Sequence, residues 1–387
     1  VRVCLLATAD NPHFLRWARH LIAQGHELLC LCDRPGRAGF TVSPPCRVEH
    51  PQPNFVEAVV CFKIWRHRLG WHYFRTRSFR KAVRAFRPDV VHGMEALAYG
   101  YALSRCKGFP RVLTPWGNDI FFEPERSTLA RFLVGHALTH VEAITTNMPN
   151  LAEFLVPRFG VAPERVHAFS WGVDRGIFHP GHEAEARRLR EAWRVPEDAI
   201  VFLSPRHVEE YWGAVEIAEA IPRVLAKEPR AFFILLRGRG DRALEDTLRR
   251  RLEEANAAHR VHWVGEYLTP EQMAAALNLA FAFISIPRTD MLSISVLEGM
   301  ACGCLPVAAD LLAYRTRLVH GENAILIPTP VTAESLAEGL LAVAAHPEWR
   351  EAFARRNVQQ IAECDDAARN AHLLEEVYRW AIAHPLE

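Results

Sequence analysis

The sequence predicts an α/β protein of two Rossmann-like, doubly wound domains facing a cleft, and three observations carry that expectation. Short apolar runs alternate with longer segments of helical period, the pattern that lays helices over parallel sheets. That pattern stops at a turn-rich stretch near the middle of the chain and then begins again. With 387 residues, half of them hydrophobic, the chain exceeds what one core organises and has the apolar material for two.

Taken in order, the first strand is expected at Val3 to Ala7. Phe14, Leu15, Trp17, Ala18, Leu21 and Ile22 then recur on one face of a helix, which Gly25 can end in a left-handed conformation. A second strand at Glu27 to Leu31 completes a βαβ opening. Further strands of this half are expected at Val90 to His92, Val112 to Thr114 and Ala143 to Thr146. The stretch from Trp171 through Gly172, Val173 and Asp174 to Phe178, His179 and Pro180 reads as the linker. The expected domains are therefore residues 1–175 and 176–365, with a C-terminal helix at about 366–387 packing back on the first. Strands of the second half are expected at Ile200 to Ser204, Phe232 to Leu236, Val261 to Val264, Ala280 to Ile286, Leu305 to Ala308 and Ala324 to Ile327.

Several function classes drop out. The residues after the first strand, Thr8 to His13, contain no G-x-G-x-x-G, so a nicotinamide cofactor is rejected. Lys and Arg exceed Asp and Glu by one, which argues against a nucleic-acid partner. The nine Cys form no C-x-x-C pair and read as core thiols of a reducing cytosol, and His and Cys never gather at the spacing of a zinc site. The apolar run at Val3 is too short to span a bilayer and has no cleavage-site pattern, so a cytoplasmic chain is expected.

The most informative segment is Pro287 to Pro306, P-R-T-D-M-L-S-I-S-V-L-E-G-M-A-C-G-C-L-P. Asp290 and Glu298 are separated by seven residues, and Ser293, Ile294 and Ser295 lie between them where a strand gives way to a short helix. Backbone N–H groups at such a helix start favour a phosphate, while carboxylates suit hydroxyls. This segment resembles the retaining glycosyltransferases of family 4, the group 1 or E-x7-E type, with Asp in place of the first Glu. Met300, Ala301, Cys302, Gly303 and Pro306 match the family's run after the acid pair. Gly25-His26, Pro88-Asp89-Val90-Val91-His92, Gly172-Val173-Asp174 with Phe178 and Pro180, and Gly238-x-Gly240 extend the resemblance over nearly the whole chain.

The resemblance implies a GT-B fold, with a nucleotide-sugar donor bound mainly by the C-terminal domain and an acceptor by the N-terminal one. It implies that sugar moves with retention of configuration, without a cofactor or a divalent metal. Asp290 would meet donor-sugar hydroxyls, Glu298 the ribose, and Arg206 the diphosphate, making these three the catalytic candidates. Gly238, Gly240, Glu266, Tyr267, Ser293, Ile294 and Ser295 complete the implied donor site. His13, Trp116 and Asp119 are candidates on the acceptor side. The chain departs from the family where Arg is usually followed five residues later by Lys: here Tyr211 stands there, followed by Trp212 and Gly213. Arg237 or Arg239 could supply the second cation. Trp116 also replaces a frequent His.

Plainer readings stand beside these. Ser295 and Glu298 have the spacing of a capping box, Asp290 could be a solvated loop acid, and Arg206 could form a surface salt bridge. Asp119 could be turn chemistry and His13 a helix-face residue. Residues 63–87 hold nine Lys or Arg and no acid, with six aromatics between them. They suit either peripheral contact with an anionic membrane, expected at its inner face, or a helix burying one aromatic side. A non-catalytic sugar-nucleotide-binding protein and a GT-B nucleotide-sugar epimerase or hydrolase remain open as alternatives.

Overall fold

The computed structural model describes residues 1–8, 12–32, 46–51, 76–238 and 240–386, without the side chains of Pro12 and His13. The chain divides into two compact units. The first is Val1–Ser170 together with Ala368–Glu387, and the second is Trp171–Ala367.

Among the described residues the first unit has seven strands: β1 (Arg2–Leu6), β2 (Glu27–Leu31), β3 (Cys46–Glu49), β4 (Val90–Met94), β5 (Arg111–Thr114), β6 (Ala143–Thr146) and β7 (Val166–Ala168). They form one parallel sheet in the order β3-β2-β1-β4-β5-β6-β7. Every residue of β4, β5 and β6 is buried, as expected of a parallel sheet covered on both faces. Helix Pro12–Ala23 follows β1, and Gly25 beyond it takes φ +78°, the left-handed stop the sequence suggests.

A buried polar chain crosses this sheet. The Nδ1 of His92 lies 2.8 Å from the Tyr378 hydroxyl and its Nε2 lies 2.7 Å from Thr114 Oγ1, which in turn meets Thr145 Oγ1. Burial depresses the His92 pKa to about 3, so the ring is neutral, donating through one nitrogen and accepting through the other. Tyr378 belongs to helix Ala367–Ala383, which also buries Leu374, Val377 and Ala381.

The second unit has, among its described residues, β8 (Ile200–Ser204), β9 (Ala231–Leu236), β10 (Val261–Val264), β11 (Ala282–Ser285), β12 (Leu305–Ala309) and β13 (Ile325–Ile327). Their order is β10-β9-β8-β11-β12-β13, again all parallel. Phe202, Phe233, Ile284 and Val307 fill the core between this sheet and its helices. The chain enters and leaves the second unit side by side: the Val173 amide donates to the Asp365 carbonyl at 2.7 Å and the Ala367 amide to the Val173 carbonyl at 3.0 Å. Gly172, at φ +69°, makes this approach possible, because a Cβ there would sit 2.6 Å from the Ala367 backbone.

The structure adds β3 and β7 to the strands expected from sequence and shortens the run at Ala280 to Ile286 to the four residues of β11. Six of the cysteines, Cys4, Cys30, Cys32, Cys106, Cys302 and Cys304, are buried as core thiols. Cys46 is half-buried and Cys364 exposed, contrary to that reading, while Cys61 lies outside the described residues.

Candidate active site

In the second sheet the connections run one way from β8 to β9 and the other way from β11 to β12, so a crevice opens where the carboxyl ends of β8 and β11 lie side by side. Ligands of open α/β sheets bind at such a switch point. Arg206 follows β8, and Asp290, Ser293 and Ser295 follow β11. The structure brings these four together. One guanidinium nitrogen, Nη2, donates to Asp290 Oδ2 at 2.8 Å. The other, Nη1, donates to Ser295 Oγ at 3.0 Å and to Ser293 Oγ. The flat face of the guanidinium lies 3.8 Å from the centre of the Trp212 ring.

Asp290 is no solvated loop acid, since only 11% of its side chain is exposed, and the Arg206 pair is no surface salt bridge. Its carboxyl accepts from Arg206, from the Tyr314 hydroxyl at 2.9 Å and from the Met291 amide at 2.9 Å. Burial pushes its pKa up, opposed by the Arg206 charge and by these donors. The Tyr314 phenol, fully buried and beside Asp290, is driven well above its ordinary pKa, so it stays protonated and donates. Nothing in the sequence marks Tyr314 or Trp212 as part of this cluster: Trp212 folds back over Arg206 from further along the same loop, and Tyr314 reaches Asp290 from another.

Helix Ile294–Ala301 begins here with Ser293 as its N-cap, and Ser293 makes no side-chain cap bond. The plainer reading of Ser295 and Glu298 as a capping box therefore does not hold: Ser295 already lies inside the first turn. Glu298 stands one turn into the helix, half-buried. The Cys302 amide returns to the Glu298 carbonyl and Gly303 follows at φ +70°, closing the helix.

The glycine pair lies on the next loop. A Cβ on Gly238 would strike the His207 ring, and one on Gly240 would lie 2.5 Å from the Val208 carbonyl oxygen. The loops after β8 and β9 thus approach each other more closely than a residue with a side chain would permit. Arg237 donates to the Gly265 carbonyl and lies 3.7 Å from Glu245. Arg239 lies outside the described residues. Glu266 and Tyr267 are exposed on the loop after β10.

The first sheet reverses direction between β1 and β4. Thr8 Oγ1 lies 3.2 Å from the Tyr99 hydroxyl there, and Glu95 takes φ +78°, an uncommon conformation for a residue with a side chain. Asp119 is buried close by, accepting from the amides of Ala96 and Trp116. Its pKa is pushed up to about 6 by burial, against the pull of those amides. The turn-forming reading of Asp119 describes these bonds, while Trp116 is half-buried on the same turn. His13 falls in helix Pro12–Ala23, and its side chain lies outside the described residues.

Helix Thr76–Phe86 carries the described part of the basic segment, with residues 63–75 outside the described residues. It buries Phe79 and Val83 and exposes Arg77, Lys81 and Arg84. Among the described residues no helix is long and apolar enough to cross a membrane, and no group of three His, Cys, Asp or Glu could hold a metal ion.

Two family profiles match the chain in succession: "Glycosyl transferase 4-like" over residues 2–148 and "Glycosyl transferases group 1" over residues 185–360. A D-inositol 3-phosphate glycosyltransferase of Jonesia denitrificans is 25% identical over 369 residues, covering 91% of this chain and 81% of that protein. Sucrose-phosphate synthase from Thermosynechococcus elongatus superposes with a TM-score of 0.81 at 16% identity, covering 99% of this chain and 100% of that one. HepE of Anabaena, solved in complex with UDP-glucose, superposes with a TM-score of 0.78 at 16% identity, covering 98% and 99%. With both sheets wound as the GT-B fold requires and each half matched by its own profile, the chain belongs to the group 1 glycosyltransferases of family 4 type, enzymes that transfer a sugar from a nucleotide diphosphate sugar to an acceptor.

Proposed function

We propose that the donor's diphosphate binds at the carboxyl ends of β8 and β11, against Arg206 and the first turn of helix Ile294–Ala301, and that transfer retains the anomeric configuration. The Arg206 cluster at the switch point carries this reading. A guanidinium and a helix N-terminus are both suited to the charge that develops on a departing nucleotide. Asp290 faces the same crevice and accepts hydroxyl hydrogens from the sugar, and Glu298 does so from the ribose. Because donors hold Asp290 on several sides, it works as a fixed acceptor rather than a proton shuttle. The acceptor binds to the first unit, near the carboxyl ends of β1 and β4, where Trp116 and Asp119 stand.

A thermal-shift panel of UDP-, GDP- and ADP-sugars tests the donor site, since a ligand of the native state adds RT ln(1 + [L]/Kd) to stability. One base is expected to raise Tm in the wild type and to lose that effect in Arg206→Ala; an equal shift in both would sink the assignment. Acceptor trials start with D-inositol 3-phosphate, the compound named for the Jonesia relative. Turnover of the donor without any acceptor would favour the epimerase or hydrolase reading.

The acid-free run 63–87 further supports peripheral binding to an anionic membrane. On helix Thr76–Phe86 the apolar side is already consumed by packing, so the contact is electrostatic, through Arg77, Lys81 and Arg84. Exchanging these three for Ser should weaken sedimentation with anionic vesicles in a salt-dependent way. Equal binding to neutral and anionic vesicles would remove the proposal.

A further inference from the structure

Two of the thiols touch. Cys30 Sγ and Cys46 Sγ lie 3.0 Å apart, on neighbouring strands of the first sheet. The register explains the meeting: Leu28 of β2 pairs with Cys46 of β3, and Cys30, two residues beyond Leu28, points to the same face as that pair. The two partners are unequal. Cys30 is fully buried on a strand flanked on both sides, whereas Cys46 is half-buried and opens β3, the edge of the sheet among the described residues.

We propose that Cys30 and Cys46 form a reversible dithiol–disulfide site, oxidised by a small disulfide of the glutathione type, with Cys46 as the attacking thiol and Cys30 as the resolving one. The Cys46 thiolate attacks one sulfur of the small disulfide. A mixed disulfide forms on Cys46 and the first small thiolate leaves. Cys30 then gives up its proton and attacks Cys46 Sγ, forming the Cys30–Cys46 bond and expelling the second small thiolate. Two protein thiols are oxidised, one small disulfide is reduced to two thiols, and the two protons end on the two leaving groups.

The surroundings favour this order. The hydrogen bond from Cys30 lowers the pKa of Cys46, and the same bond together with burial raises that of Cys30. A disulfide needs a sulfur separation of about 2.05 Å, so the resolving step closes only about 1 Å of the existing gap. The product would staple β3 to the strand inside it. Nothing in this proposal depends on where the sugar donor binds.

The test is oxidised glutathione added to the intact, folded protein, followed by alkylation and digestion without reduction. In the wild type a peptide linking Cys30 to Cys46 is expected, with both thiols lost to alkylation and recovered by dithiothreitol. In Cys30→Ser, one glutathione is expected to persist on Cys46, because nothing resolves it; in Cys46→Ser, Cys30 should remain alkylatable only after unfolding. Exposed Cys364 serves as the internal standard of oxidation. If Cys364 becomes glutathionylated while Cys30 and Cys46 both stay reduced, or if Cys46 pairs with a different cysteine, the proposal fails. Accumulation of an unresolved adduct on wild-type Cys46 would also overturn it.

Discussion

The guanidinium of Arg206 is held at its edges by Asp290, Ser293 and Ser295 and on its flat face by Trp212, so its geometry as much as its charge is fixed. Lysine keeps the charge but offers neither a fork for two acceptors nor a plane for the indole. Arg206→Lys is therefore expected to lower kcat/KM by about a hundredfold, as when one preorganised donor to a developing anion is lost. Steady-state kinetics with the natural donor would measure this, and an unchanged value would show that Arg206 does not meet the diphosphate. Arg206 and Asp290, which the structure brings together, were legible through the family resemblance, one at a strand end and the other in the spacing of the acid pair. Trp212 and Tyr314 were not, since a ring stacked across one loop and a phenol reaching in from another leave no periodic trace. The pairing of Arg206 with Asp290 joins residues 84 positions apart, beyond the reach of any motif.

Helix Ile294–Ala301 starts two residues earlier than a Ser295–Glu298 capping box would require, because Ser293 already takes the N-cap conformation. Glu298 thus lies too far into the helix to serve its cap. Glu298→Gln should leave Tm nearly unchanged while weakening nucleotide affinity about tenfold, the difference between a charged and a neutral acceptor. Calorimetry with the free nucleotide diphosphate, beside a melting curve, separates these effects; a fall in Tm with intact affinity would make the residue structural. The strands missed from sequence, β3 and β7, are short edge strands with no fully buried residue. An inner strand such as β9 is buried throughout and reads as a continuous apolar run, whereas an edge strand keeps one side wet and loses that signal.

For the molecule as a whole, the doubly wound pattern was legible from alternation alone, and the turn at Trp171 marks the start of the second unit. Two buried groups give the first unit opposing responses to acid. His92, depressed from 6.5 to about 3, contributes stability that is present above pH 6.5 and lost as the pH falls. Asp119, raised from 3.8 to about 6, contributes stability that is fully present below pH 3.8 and lost as the pH rises through 6. The two contributions oppose each other over the same pH range. Replacing Asp119 by Asn removes the opposing part. Between pH 7 and pH 4 the wild type should gain about 3 kcal/mol relative to Asp119→Asn, from about two pKa units at 1.36 kcal/mol each. Hydrogen exchange in β4 and β5 of both proteins would measure the difference, and parallel pH profiles would show that Asp119 is not perturbed.

The return of the last helix to the first unit has a consequence for biosynthesis. The ribosome delivers residues 1–170 long before Tyr378, so His92 waits for its partner while the whole second unit is made. At about 5–20 residues per second that delay lasts on the order of 10–40 seconds. During it the nascent first sheet lacks the cover that Leu374, Val377 and Ala381 later supply. The second unit, by contrast, is one continuous stretch, Trp171–Ala367, and needs no later segment to complete it.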